Sequence, residues 1–174
     1  VIPSDPLEPV DFPVGYDRPS IEAAYGDPDP MLLDGDDLDW RQAILSPRKV
    51  DFPSQVRYSG TRTLLSGQHV HRRLEASLRL ILHELQGRNV WRFVTDCAGV
   101  YAFRLQRGGS RLSLHAWAAA IDLNAEHYPL GAPPDFKDPF IRHVVPVFQE
   151  FGWQWGGLWG RPDAMHFEAS RRAA

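Results

Sequence analysis

Two short segments hold the residues best able to do chemistry. Ser113-Leu114-His115-Ala116-Trp117-Ala118-Ala119-Ala120-Ile121-Asp122 supplies an imidazole and a carboxylate. Asp163-Ala164-Met165-His166-Phe167-Glu168 supplies a second imidazole, with a carboxylate three residues before it. A catalytic zinc takes three protein ligands and keeps one position open. It also works with a nearby general base that takes the proton of an attacking water. His115, Asp122 and His166 fit the ligand set, and Asp163 fits the base, so the donor set points to zinc-dependent hydrolysis. Spacing alone leaves a second possibility, in which the same groups are hydrogen-bonded polar residues of a core. Arg104 is the candidate donor to a developing oxyanion, or the partner of a substrate carboxylate.

These residues need elements to position them. His115 and Asp122 lie seven apart, which suits a loop-borne histidine packed beside a strand-borne aspartate. Residues 119–123 read as that short buried strand. A helix is expected over 69–86, where Val70, Leu74, Leu78, Ile81, Leu82 and Leu85 recur on one face and Gly87 closes the end. Trp91 to Asp96 and Val100 to Leu105 read as strands joined by a hairpin at Ala98-Gly99. Asp138-Pro139 opens a second helix that Pro146 should kink and Gly152 should end. Trp153 to Trp155 and Ala164 to Ala169 are the last two strands. Helices and strands segregate, so the expected class is α+β, a small antiparallel sheet packed by helices.

The first thirty residues carry seven of the fifteen prolines and no apolar period, and read as an extended N-terminal arm anchored by Phe12, Tyr16 and Tyr25. The arm is a candidate for docking a protein partner. Asp34, Asp36, Asp37 and Asp39 lack the spacing and the closing Glu of a calcium loop and read as solvated. The single cysteine, Cys97, sits in an apolar stretch and reads as a core thiol. A net charge of −3 argues against a nucleic-acid partner, no apolar run is long enough to span a membrane, and no signal segment is recognisable. His127 is a candidate substrate contact. Trp117, Trp153, Trp155 and Trp159 could line a cleft or fill the core.

The two segments resemble the M15-type metallopeptidases of bacterial cell walls. That group spans zinc D-Ala-D-Ala carboxypeptidases, D-Ala-D-Ala dipeptidases and the L-alanyl-D-glutamate endopeptidases of phage lysins. The family's Ser-x-His-x-x-Gly-x-Ala-x-Asp motif appears as Ser113, His115, Ala118, Ala120 and Asp122. Its Glu/Asp-x-x-His motif appears as Asp163 and His166, followed by Phe167-Glu168. Its Trp-Gly-Gly-Asp-Trp stretch appears as Trp155-Gly156-Gly157-Leu158-Trp159, and its upstream arginine as Arg104. Ala118 replaces the motif glycine, Leu158 replaces an aspartate, and Asp163 stands at the base position in place of Glu.

The resemblance covers roughly residues 92–170. It implies a zinc site of His115, Asp122 and His166, with Asp163 and Arg104 catalytic, and with Arg104, Ser113, Trp155 and Trp159 contacting substrate. The implied substrate is a peptidoglycan stem peptide, cut at D-Ala-D-Ala or L-Ala-D-Glu, which places the work in the periplasm or outside the cell. A module that keeps the fold but only binds cell wall is the alternative. Residues 61–174 are then the catalytic domain, and 1–60 are arm and loops of the same unit.

Overall fold

Ala120–Leu123 (β3) is buried at all four positions and lies at the middle of the sheet, with strands on both sides. The structure is a computed structural model that describes residues 5–14, 16–27 and 44–171. Its five-stranded sheet has the order β1-β2-β3-β5-β4, where β1 is Arg57–Tyr58, β2 Asp96–Gly99, β4 Gln154–Gly156 and β5 Asp163–Glu168. All pairings are antiparallel except β1 with β2, so the sheet is mixed at one edge. With its helices it makes an α+β architecture.

Helix α2, Glu75–Gly87, turns Leu78, Ile81, Leu82 and Leu85 into the core. It begins later than the periodicity suggests, because Arg72–Leu74 forms a 3-10 turn capped by the His71 side chain. Its end also differs from expectation. Gly87 stays inside the last turn, and Asn89 takes the left-handed conformation (φ 55°). Asn89 and Val90 then donate to the carbonyls of Gln86 and Leu85, the pattern of a Schellman cap.

Helices α3, Pro139–His143, and α4, Val145–Glu150, are one expected helix broken at Val144. Asp138 caps the start by accepting from the Phe140 N–H, and Pro146 lacks the N–H that a continuous helix would use. Phe140 and Phe148 pack on Phe167, the latter with ring centroids 4.2 Å apart. Phe167 therefore anchors β5 from one face of the sheet, and its neighbours His166 and Glu168 are free to face the other way.

Several strand expectations fail. Trp91–Phe93 is a 3-10 turn, and β2 takes in the Ala98-Gly99 pair that reads as a hairpin and ends there. Pairing with β3 decides this: Cys97 lies opposite Leu123 and Gly99 opposite Asp122, with a register shift between them. Beyond Gly99 the chain leaves the ladder, so residues 100–105 form no strand of the sheet and instead run beside residues 111–115 through the Leu105–Leu112 bridge and the Ala102–His115, Ser113–Arg104 and Gln106–Arg111 backbone hydrogen bonds. The arm is not extended throughout either. Arg18–Tyr25 is a helix, α1, capped by Asp17 and carrying Pro19 in its first turn, and it buries Ile21, Ala24 and Tyr25. A local cap and three apolar contacts suffice where no long period exists.

The arm is stitched to the body on both sides of α1. Val14 bridges Arg171 in parallel, and Arg171 donates from its backbone N–H to Pro13 and from Nε to Phe12. The Tyr25 hydroxyl donates to the Ala169 carbonyl, and Trp117 donates to that of Gly26. Phe12 and Tyr25 are fully buried, as anchors should be. The acidic run Asp34 to Asp39 lies outside the described residues. Among the described residues no helix is long and apolar enough to cross a membrane.

Candidate metal centre

His115 is carried by a 3-10 turn, Leu114–Trp117, whose ends the sequence dictates. Ser113 caps its start, with Oγ accepting from the His115 N–H. Ala118 closes it in the left-handed region (φ 52°), and its carbonyl accepts from the His71 N–H. That reversal feeds the chain directly into β3, which presents Asp122. His166 is Asp122's partner across the β3–β5 ladder. A turn and two adjacent strands thus bring three distant residues to one point.

The donor atoms are defined by what else each ring does. Nδ1 of His115 lies 2.8 Å from the Val100 carbonyl and donates to it, leaving the Nε2 lone pair facing inward. Nε2 of His166 lies 3.1 Å from Glu168 Oε2 and donates to it, leaving Nδ1 inward. His115 Nε2 and His166 Nδ1 are 3.2 Å apart, and each lies near Asp122 Oδ1, at 3.1 and 2.8 Å. The three side chains are buried, and their donor atoms all fall within 4.8 Å of one another.

Three inward acceptors repel unless a cation sits among them. Without a metal, a proton plays that part. Burial opposes a charged His166, but the hydrogen bonds and charges of Asp122 and Glu168 outweigh it and raise its pKa. Burial likewise opposes an ionised Asp122, and the charge and hydrogen bonds of His115, with those of His166, hold it well below the usual carboxylate range. Two imidazoles and one carboxylate suit a borderline ion such as zinc. The His166–Glu168 pair is the carboxylate support that metal-bound histidines commonly have.

Asp163 stands at the start of β5 on the wall of a cleft of about 260 Å³ that His166 also lines. Its Oδ1 is buried and has no hydrogen-bond partner among the described residues. Burial raises its pKa, against the pull of His166, His115 and Arg107. Gly156 holds it in place from behind. A Cβ there would come 2.7 Å from the Asp163 carbonyl oxygen, 3.1 Å from its Cβ and 3.2 Å from the Trp159 ring. A Cβ on Gly157 would overlap the Trp155 indole. Close packing thus accounts for the paired glycines.

The cleft gathers Arg104, Ser113, Trp159 and Asp163 beside His166. Arg104 Nη2 lies 4.0 Å from Asp122 Oδ2. The Trp159 ring is 5.3 Å from that of His166. Trp155 is not brought to the cleft: it is buried, with its indole N–H donating to the Ala164 carbonyl. Trp117 and Trp153 are core residues. His127 is exposed and pairs with Asp138 at 3.3 Å, away from the cleft. Cys97 is buried, and burial pushes its thiol up to about 12, as befits a core group.

Several cleft residues, among them two arginines and a tyrosine, escape a reading of the sequence. Arg107 and Arg161 flank Asp163, and Tyr16 enters from the arm. Arg107 precedes the Gly108-Gly109 loop and Arg161 sits in a Gly-Arg-Pro turn, so neither carries a pattern of its own. Tyr16 reads only as an anchor.

Residues 107–169 match the family model described as D-alanyl-D-alanine carboxypeptidase. The match includes His115, Asp122, Asp163 and His166, and stops short of Arg104 and the arm. No curated protein and no solved structure matches the chain.

Proposed function

We propose, on the match of residues 107–169 to the D-alanyl-D-alanine carboxypeptidase family model, that the chain is a zinc-dependent peptidase acting on the peptidoglycan stem peptide. The observation that carries this is the buried His115–Asp122–His166 cluster with the unpartnered Oδ1 of Asp163 on the adjoining cleft wall. Zinc held by the three residues would supply Lewis acidity and an activated water.

The chain's own groups do the rest. Asp163 accepts the proton of the attacking water at Oδ1 and returns it to the leaving amine. Its raised pKa suits both duties, since a base that must later act as an acid works best with an affinity near the operating pH. Arg104 offers guanidinium donors to the oxygen that becomes negative. Arg107 and Arg161 add positive charge around the cleft, which suits a peptide bearing carboxylates. The stem-peptide bond is D-Ala-D-Ala or L-Ala-D-Glu, and such a substrate puts the site of action in the periplasm or outside the cell. A wall-binding module would have no use for a general base at Asp163.

The test is elemental analysis of the purified protein beside His166→Ala, followed by defined stem peptides with Asp163→Ala. About one zinc per chain, lost in His166→Ala, with cleavage lost in Asp163→Ala, supports the reading. A parent that takes up no zinc, or an Asp163→Ala protein that cleaves at the parental rate, overturns it.

A further inference from the structure

We infer that Tyr16, delivered by the N-terminal arm, is a positioning residue of the metal centre, acting through Glu168 on His166. The inference rests on the zinc reading above. The Tyr16 hydroxyl donates to Glu168 Oε2 at 2.7 Å, across 152 residues of sequence. The same oxygen accepts from His166 Nε2 at 3.1 Å. Glu168 Oε1 accepts from the Ser170 hydroxyl at 2.6 Å.

Glu168 is 1% exposed, so its charge is stabilised by these donors and not by bulk water. Its three donors are Tyr16, Ser170 and His166. Ser170 follows Glu168 closely in the chain and arrives with it. Tyr16 alone comes from a distant segment, so the carboxylate is fully partnered only when the arm is seated.

The consequence falls on His166. Its imidazole presents Nδ1 to Asp122 and His115 only while Nε2 keeps its N–H on Glu168. A Glu168 carboxylate released by Tyr16 is free to shift, and the His166 ring that it holds shifts with it, moving Nδ1 off its position beside Asp122 and His115. Tyr16 also forms part of the cleft wall with His166 and Asp163. The arm is therefore a component of the centre.

Zinc titration of the full chain, in the parent, Tyr16→Phe, Glu168→Gln and the double variant, tests this. Tyr16→Phe keeps the packed ring and removes only the donor. Its zinc dissociation constant should rise about 10- to 100-fold, while the metal-free protein stays folded with a melting temperature lowered only by the loss of one hydrogen bond to a buried carboxylate. Glu168→Gln should lose affinity too, and the double variant should lose less than the product of the two single losses, because both act on one hydrogen-bonded path. Parental zinc affinity in Tyr16→Phe overturns the inference while leaving the zinc reading intact. Fully multiplicative losses in the double variant also overturn it, since they make Tyr16 an independent tether. A parent without zinc affinity overturns the zinc reading and this inference with it.

Discussion

Asp122 and His166 stand directly opposite each other in the β3–β5 ladder, with Asp122 Oδ1 2.8 Å from His166 Nδ1. Sheet register therefore sets the spacing between two of the three candidate ligands. A one-residue slip would send one of them to the far face. Asp122→Asn keeps the shape and removes the charge. It should weaken zinc binding by more than the roughly 10- to 100-fold of a second-sphere loss, with the metal-free fold retained. Isothermal titration with zinc checks this, and parental affinity would remove Asp122 from the ligand set.

Gly156→Ala tests the packing behind the base. The added methyl group presses on Asp163 and on the Trp159 ring, and backbone on one side cannot give way cheaply. Turnover of a stem peptide should fall on the order of 10- to 100-fold, the scale on which sub-ångström to ångström misplacement acts. Zinc content should stay at the parental level. Steady-state kinetics with metal analysis separates the two, and unchanged turnover would show that Asp163 needs no support from Gly156.

Ala118 sits where the family motif has glycine, in the left-handed region and fully buried. Ala118→Gly should leave stability within about 1 kcal/mol of the parent. Relief of about 1–2 kcal/mol from the left-handed conformation offsets about 0.8 kcal/mol of lost methyl burial and about 0.5–1 kcal/mol of added freedom in the unfolded chain. Ala118→Val should lose about 2–4 kcal/mol, from crowding in a packed core on top of the backbone cost. Denaturant unfolding measures both. A large loss in the glycine variant would mean that the Ala118 methyl is essential packing.

His71 gives the fold a defined pH sensitivity. Its Nε2 donates to the Tyr25 carbonyl, its Nδ1 accepts from the Arg73 N–H, and burial holds its pKa down to about 3. The unfolded chain takes up a proton below about pH 6.5 that the folded chain refuses. Stability from this group is complete above that pH and declines as pH falls toward 3, at about 1.4 kcal/mol per unit. Between pH 7.5 and 5 the loss should be about 2 kcal/mol. In His71→Asn, unfolded in the presence of a chelator, the decline should be smaller by that amount. Equal slopes in the two proteins would contradict a neutral buried His71.

Much of the centre was legible because its residues are local to motifs. Ser113, His115 and Asp122 span one turn and one strand, and Asp163 and His166 share a strand, so type and spacing sufficed to nominate them. The strand carrying Asp122 and the break at Pro146 were legible for the same local reasons. What stayed hidden depends on tertiary pairing. The β2 strand forms where Ala98-Gly99 suggests a turn because β3 is there to receive it. Trp155 looks identical to Trp159 in sequence, and only the end of β4 at the tight glycine pair, which puts Trp155 on the strand and Trp159 in the turn beyond it, distinguishes a core indole from a cleft one. Tyr16 gives no hint of Glu168, since nothing local links residues that far apart.

The contacts between Tyr16 and Glu168 and between Arg171 and Phe12 close loops of 152 and 159 residues. Such closures come late, after shorter-range helices and turns have formed. On the zinc reading proposed above, completion of the metal site would follow these long-range closures. Molecules whose arm has not yet docked, including nascent ones still lacking Arg171, have the ligands but not their finished surroundings. If Tyr16 sets zinc affinity as inferred, that affinity would be complete only once the arm has docked on the body.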